Sequence, residues 1–129
     1  MTRPCVNDPA AASVGPYSHG VWAGDLLFLS GQTPIDPATR VLVAGDIGAQ
    51  TRQCLANLAA VLAQAGLGLA DAVKCNVYLV DMADFGAMNQ AYREFFTEPF
   101  PARTTIGVAA LPLGARVEIE LVARRAPAA

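Results

Sequence analysis

The pattern of apolar and polar residues begins with two extended runs joined by a tight turn. The runs are Gly20–Ala23 and Leu26–Gln32, and Gly24-Asp25 between them is typical of a β-hairpin turn. Leu26–Leu29 is apolar at every position, as expected of a central strand covered on both faces. The chain turns polar at Ser30-Gly31-Gln32, so we predict a buried strand that ends in a polar tip.

Two later stretches carry apolar residues three or four positions apart, which predicts helices with one apolar stripe each. The first begins after Asp46, a good N-cap residue, and runs to about Ala65, where Gly66 favours a left-handed stop. The second follows Asp84 as its cap and runs roughly over Phe85–Phe96, because prolines soon after prevent its continuation.

Alternating residues predict a strand between the helices and two strands after them. Val73–Val80 is the first of these strands. Its inward face is predicted to carry Val73, Cys75, Val77 and Leu79. Arg103–Ile106 and Arg116–Leu121 are the last two, and we predict that they pair as a hairpin turning near Leu111 and Pro112. Four polar residues would then share one sheet face: Arg103, Thr105, Glu118 and Glu120.

The element order β-β-α-β-α-β-β predicts an α+β fold in which two helices cover one face of a mixed sheet. Residues 1–13 are predicted to form an arm or an edge strand, and the length predicts one domain over 1–129. With 53% hydrophobic and only 16% charged residues, the chain has an apolar surplus. We therefore expect the second sheet face to pack against another copy of the chain.

Charge and cysteine usage exclude several classes of function. Nine basic and eleven acidic residues give a net charge of −2, and no basic cluster exceeds Arg124-Arg125, which disfavours nucleic-acid binding. Three separated cysteines and a single histidine make a zinc site improbable. No apolar run has the length of a signal peptide or a membrane span, so we expect a cytoplasmic protein with free thiols, and no membrane partner.

An arginine beside carboxylates on a half-buried sheet is either an anion clamp next to a potential base or a structural ion pair. Arg103 can grip a carboxylate with its planar fork. It can equally pair with Glu118 or Glu120 across the predicted hairpin, which is common for opposed charges in sheets. The residues alone leave both interpretations open.

Five segments occur in the order and approximate spacing of a known family. They are Gly15–Gly20, Leu29–Pro34, Asn89–Phe96, Phe100–Arg103 and Val117–Glu120. Over about residues 10 to 125 the chain resembles the Rid family, also called YjgF or reactive-intermediate (enamine/imine) deaminase. The resemblance implies a chorismate-mutase-like α+β fold and a homotrimer. In such a trimer the sheets line a central barrel and the active sites lie in clefts between subunits.

The resemblance also implies an activity and its residues. Deaminases of the family hydrolyse 2-aminoacrylate and other small 2-imino acids to 2-keto acids and ammonia, without metal or organic cofactor. The substrate-carboxylate arginine corresponds to Arg103 and the water-positioning glutamate to Glu118. The implied substrate-binding residues are Tyr17, Ser30, Gly31, Asn89 and Thr105. Thr105 stands where the best-known deaminases often have cysteine, and we expect it to form the pocket wall and tune specificity.

The residues also bear on two other functions. The chain could be a non-catalytic trimer that binds small carboxylates such as keto acids, for which Arg103 suffices and Glu118 has no clear purpose. A ribonuclease fits poorly, because the chain is net negative and lacks a catalytic histidine pair. Its one histidine, His19, we expect to be structural.

Overall fold

A computed structural model describes residues 3–11 and 13–126 of the chain. Six strands form one sheet: β1 (Cys5–Val6), β2 (Gly20–Ala23), β3 (Leu26–Gln32), β4 (Ala72–Leu79), β5 (Ala102–Gly107) and β6 (Val117–Arg124). The helices are α1 (Ile47–Gln64) and α2 (Phe85–Arg93). Short 3₁₀ turns occupy Leu69–Asp71, Met82–Asp84 and Pro112–Gly114. The predicted α+β class is confirmed, and the N-terminal arm contributes the edge strand β1.

The sheet has the order β1-β2-β3-β6-β4-β5, in which only β4 and β5 pair in parallel. The predicted hairpin between the last two strands is therefore wrong, because β4 lies between β5 and β6. Alternation tells which side chains share a face within one strand, but it does not specify the partner strand. The apolar alternate positions of β4 suit the centre of a sheet, and β4 takes that place.

The register also corrects the predicted shared face. Arg103 on β5 pairs in register with Cys75 on β4, and Cys75 pairs in register with Leu121 on β6. Glu118 is level with Tyr78, three residues further along β4. Residues in register across a sheet point to the same face, and odd and even positions of a strand alternate. Arg103 and Thr105 therefore point to the helix-covered face, whereas Glu118 and Glu120 point to the opposite one.

The core lies between α1, α2 and one sheet face. Leu55, Leu58 and Leu62 of α1 and Val77 and Ile119 of the sheet are fully buried. As predicted, α1 is bounded by local signals. Asp46 Oδ1 accepts a hydrogen bond from the Ala49 backbone N–H at 2.9 Å, and Gly66 takes φ +73° after the helix.

The second helix is shorter than predicted and is capped differently. It ends at Arg93 rather than near Phe96, and the Asp84 side chain caps nothing. Asp84 instead accepts a hydrogen bond from Arg116 Nη2 at 2.9 Å. The carboxylate that sequence spacing predicted as the N-cap of α2 is therefore bound in a long-range ion pair. Asp81 begins the preceding 3₁₀ turn by accepting from the Ala83 N–H.

The second sheet face is uncovered in the single chain. Leu27 and Leu29 are buried under the helices, but Phe28 between them is 47% exposed, as is Ile106 on β5. Val73, predicted to face inward, is exposed because the β4–β6 register shifts between Ala72 and Lys74. Within the described ranges no helix is long and apolar enough to cross a bilayer.

Candidate active site

Arg103 projects from β5 towards α2, where three side chains hold its guanidinium. Its Nη2 donates to Asn89 Oδ1 at 2.7 Å, and its Cζ lies 4.7 Å from the ring centroid of Tyr92 and 5.6 Å from that of Phe85. Aromatic faces attract a cation at these distances. The three contacts come from one side of α2, so the helix fixes the direction of the arginine without neutralising its charge.

A cavity of about 370 Å³ opens beside this arginine. Its lining residues are Asn89, Tyr92, Arg93, Phe100, Pro101 and Arg103. The volume falls in the range of small-molecule sites, which are roughly 300–1,000 Å³. The lining contains two guanidinium groups and no carboxylate. The cavity is therefore suited to a small anion.

Two buried, neutral groups underlie the Arg103 side chain. Burial raises the pKa of the Cys75 thiol and raises the pKa of the Tyr92 hydroxyl well above its usual range. Both groups therefore stay protonated at neutral pH, so neither the thiol nor the hydroxyl neutralises the positive charge of Arg103.

Glu118 lies in a separate cleft of about 230 Å³. Its lining residues are Val14, Tyr17, Gly31, Thr33, Pro112 and Glu118. Burial, with a smaller contribution from the nearby charge of Glu120, raises the pKa of the Glu118 carboxyl above its ordinary value. A carboxyl of this kind takes up and releases a proton closer to neutral pH than an exposed glutamate does.

Close approach of Gly31 to Glu118 explains the glycine in the polar strand tip. A Cβ added at Gly31 would lie 2.8 Å from Glu118 Oε2, which is closer than side-chain atoms tolerate. The neighbouring Ser30 hydroxyl donates to the Ser18 carbonyl oxygen at 2.6 Å and so ties the strand tip to the turn that carries Tyr17. Tyr17 itself is 43% exposed.

The predicted site residues thus fall into two groups on opposite sides of the sheet. Arg103 lies with Asn89, whereas Tyr17, Gly31 and Glu118 lie together and Ser30 adjoins them. Thr105 points to the same face as Arg103 but does not line its cavity. The Thr105 hydroxyl is buried, and no described residue bonds it.

Glu120 and His19 each make hydrogen bonds within the chain. The Glu120 carboxylate accepts a hydrogen bond from Asn76 Nδ2 at 3.3 Å. His19 is buried as well. Its Nδ1 accepts from the Asp8 N–H at 3.0 Å, and its Nε2 lies 3.0 Å from the Ser13 hydroxyl oxygen. Among the described residues, no three His, Cys, Asp or Glu side chains cluster as metal ligands do.

Sequence reasoning missed five residues around Arg103 and its cavity: Phe85, Tyr92, Arg93, Phe100 and Pro101. Helical spacing could have found the first three, since each lies three or four positions from Asn89 and so falls on the same side of α2. Tyr92 suits the apolar stripe of the helix, and its ring also contacts the Arg103 guanidinium. Phe100 follows a non-helical segment and carries no such signal.

Comparison with known proteins identifies the family. The family model described as Endoribonuclease L-PSP matches residues 7–125. The chain belongs to this family, the Rid or YjgF family. A RutC family protein of Pyrococcus horikoshii is 49% identical over 123 residues, covering 95% of this chain and 98% of that protein.

Two further Rid relatives bear on function. The 2-iminobutanoate/2-iminopropanoate deaminase of Salmonella typhimurium is 43% identical over 128 residues, covering 97% of this chain and 99% of that enzyme. The crystal structure of E. coli TdcF with bound serine is 36% identical with a TM-score of 0.88, covering 96% of this chain and all of that one. Relatives of this Rid chain thus include named imine deaminases and a structure that binds an amino acid.

Proposed function

We propose that this Rid protein hydrolyses small 2-imino acids, including the imine form of 2-aminoacrylate, to 2-keto acids and ammonia. The observation that carries the proposal is the Arg103 cavity, where a fixed, uncompensated guanidinium faces a space of ligand size. Arg103 binds the substrate carboxylate through its planar fork. The serine bound by TdcF also carries an α-carboxylate, which supports this role.

Glu118 supplies the second half of the reaction. It positions a water molecule and accepts a proton from it as the water oxygen attacks the imine carbon. It then returns a proton as the carbon–nitrogen bond breaks and ammonia leaves. The raised pKa of Glu118 supports this exchange, because a general acid–base group works best when its pKa lies near the working pH.

The complete site forms between subunits of a homotrimer. Arg103 and Glu118 point to opposite faces of one sheet and line separate cavities, so a single chain does not present both to one substrate. Placing the Arg103 cavity of one copy against the Glu118 cleft of another satisfies both roles. Burying the exposed apolar residues Phe28 and Ile106 of the uncovered sheet face would favour association of the copies.

A pocket that only bound keto acids would need the Arg103 half alone. The raised pKa of Glu118, and the glycine that admits its carboxylate, favour hydrolysis over simple binding.

The test measures keto-acid release from freshly generated 2-aminoacrylate, with Arg103→Ala as the comparison variant. We expect the wild-type protein to accelerate release and the alanine variant to lose about 2–4 kcal/mol of transition-state stabilisation, as for truncating a buried charge-assisted contact. Release at the uncatalysed rate in the presence of folded wild-type protein would contradict the proposal and leave a binding-only protein.

A further inference from the structure

The arginine cavity holds a second guanidinium for which the proposed reaction on small imines has no use. Arg93 lies one helical turn after Asn89, so both project from the same side of α2, and both line the cavity with Arg103. Phe100 and Pro101 form the apolar part of the lining. A carboxylate held by Arg103 thus has an apolar wall and a second cation beside it.

No described residue takes up the charge of Arg93. The adjacent carboxylate, Glu94, is bound by Arg52 of α1, with nitrogen–oxygen distances of 2.9 to 3.2 Å. Glu98 lines a different groove, formed by residues near the end of α2 and the start of β4. The described part of the chain shows no hydrogen bond or ion pair to the Arg93 guanidinium, whereas Arg103 is held by Asn89.

We propose that Arg93 binds a second carboxylate of the substrate, so that the site prefers 2-imino dicarboxylic acids with a four- or five-carbon chain. The inference rests on the proposed function and specifies its substrate class. Arg103, fixed by α2, takes the carboxylate next to the imine, and the methylene chain follows Phe100 and Pro101. Arg93, on the exposed outer wall, then meets the distal carboxylate.

The chemistry is the same hydrolysis and needs no oxidant or cofactor. The water oxygen bonds to the imine carbon, the carbon–nitrogen bond breaks, and ammonia leaves with the transferred protons. The product is a 2-keto dicarboxylic acid. The distal carboxylate takes no part in the bond changes, so Arg93 acts on specificity and binding rather than on the chemical step.

The kinetic test compares two imines generated in situ by amino-acid oxidases, one from aspartate or glutamate and one from 2-aminobutyrate. The measured quantity is the ratio of kcat/KM for the dicarboxylic imine to that for the monocarboxylic imine. We expect Arg93→Gln to lower this ratio about tenfold, the usual scale of one charge-assisted hydrogen bond, and Arg93→Glu to lower it further. Arg40→Gln removes an equal charge from an exposed loop outside the cavity and should leave the ratio unchanged.

A binding measurement keeps the inference testable without catalysis. Calorimetry with 2-oxoglutarate and 2-oxobutanoate should show about tenfold tighter binding of the dicarboxylate by the wild-type protein and loss of that preference in Arg93→Gln. Equal affinities in the wild-type protein, or a preference that survives Arg93→Gln, would overturn the inference. If the protein hydrolyses no imine but keeps the preference, the proposed function fails and the second anion site stands. If only the monocarboxylic imine is hydrolysed, the proposed function stands and the second anion site fails.

Discussion

Asn89 offers the sharpest test of how this Rid protein positions Arg103, the proposed carboxylate-binding group. Its amide oxygen accepts from Arg103 Nη2 at 2.7 Å, and the Tyr92 and Phe85 rings are the other contacts that orient the guanidinium. Asn89→Ala removes one hydrogen bond to a charged group, which is worth about 1.5–3 kcal/mol. The aromatic contacts remain, at about 0.5–1 kcal/mol each. We therefore expect the lower end of that loss, about a tenfold fall in kcat/KM.

The assay is steady-state kinetics on an imine generated in situ, together with calorimetric binding of the product keto acid. Gln90→Ala is the matched control, because Gln90 is the next residue of α2 and is exposed outside the cavity. Asn89→Asp should be worse than alanine, since a carboxylate at that position pairs with Arg103 and competes with the substrate.

Two results would refute the positioning role. One is Asn89→Ala kinetics equal to those of Gln90→Ala. The other is a fall in kcat/KM accompanied by an equal loss of Tm in Asn89→Ala and Gln90→Ala, which would make Asn89 a general structural residue. A rise in KM and weaker keto-acid binding at unchanged Tm would support it.

The other expected outcomes concern Glu118 and Thr105. Glu118→Gln should lower kcat about a hundredfold or more, whereas Glu120→Gln should lower it much less. The kcat/KM of the wild-type protein should rise with pH as Glu118 ionises, at a pKa above that of an ordinary glutamate. This rise should be absent from the pH profile of Glu118→Gln. The raised pKa means that the folded protein favours protonated Glu118, so the folded state loses stability as the pH rises through that pKa. Glu118→Gln should therefore have a higher Tm than the wild type at neutral pH. An equal or lower Tm would contradict the raised pKa of Glu118. Thr105→Val should raise the free energy of unfolding by about 1 kcal/mol in urea titrations, because the buried Thr105 hydroxyl has no partner among the described residues; destabilisation would show that the hydroxyl is bonded.

Features set by neighbouring residues were predictable from the sequence. The start of α1 depends on Asp46 three residues before the N–H that it accepts from, and its end depends on Gly66, so both bounds were correct. The turn at Gly24 and the buried alternate positions of β4 are local signals of the same kind. Local signals are reliable here because no distant residue competes for these groups.

Features set by distant residues were not predictable. Asp84 had the right spacing for a cap, but Arg116, which is far along the chain, binds it. The β5 strand alternates as a hairpin partner of β6 would, yet β4 separates them. The two principal candidates, Arg103 and Glu118, were predicted on one face but lie on opposite faces. The register between β5 and β6 is set through β4, and alternation within each strand does not specify it.

The central claim is that one active site takes Arg103 from one subunit and Glu118 from another. Mixing Arg103→Ala and Glu118→Gln proteins, by co-expression or by unfolding and refolding together, tests it directly. In a cyclic trimer with random mixing, about a quarter of the sites combine an intact Arg103 with an intact Glu118. We expect each variant alone to be nearly inactive and the mixture to recover about a quarter of wild-type activity. No recovery in mixed trimers would contradict it, because a site built within one chain always carries one of the two substitutions.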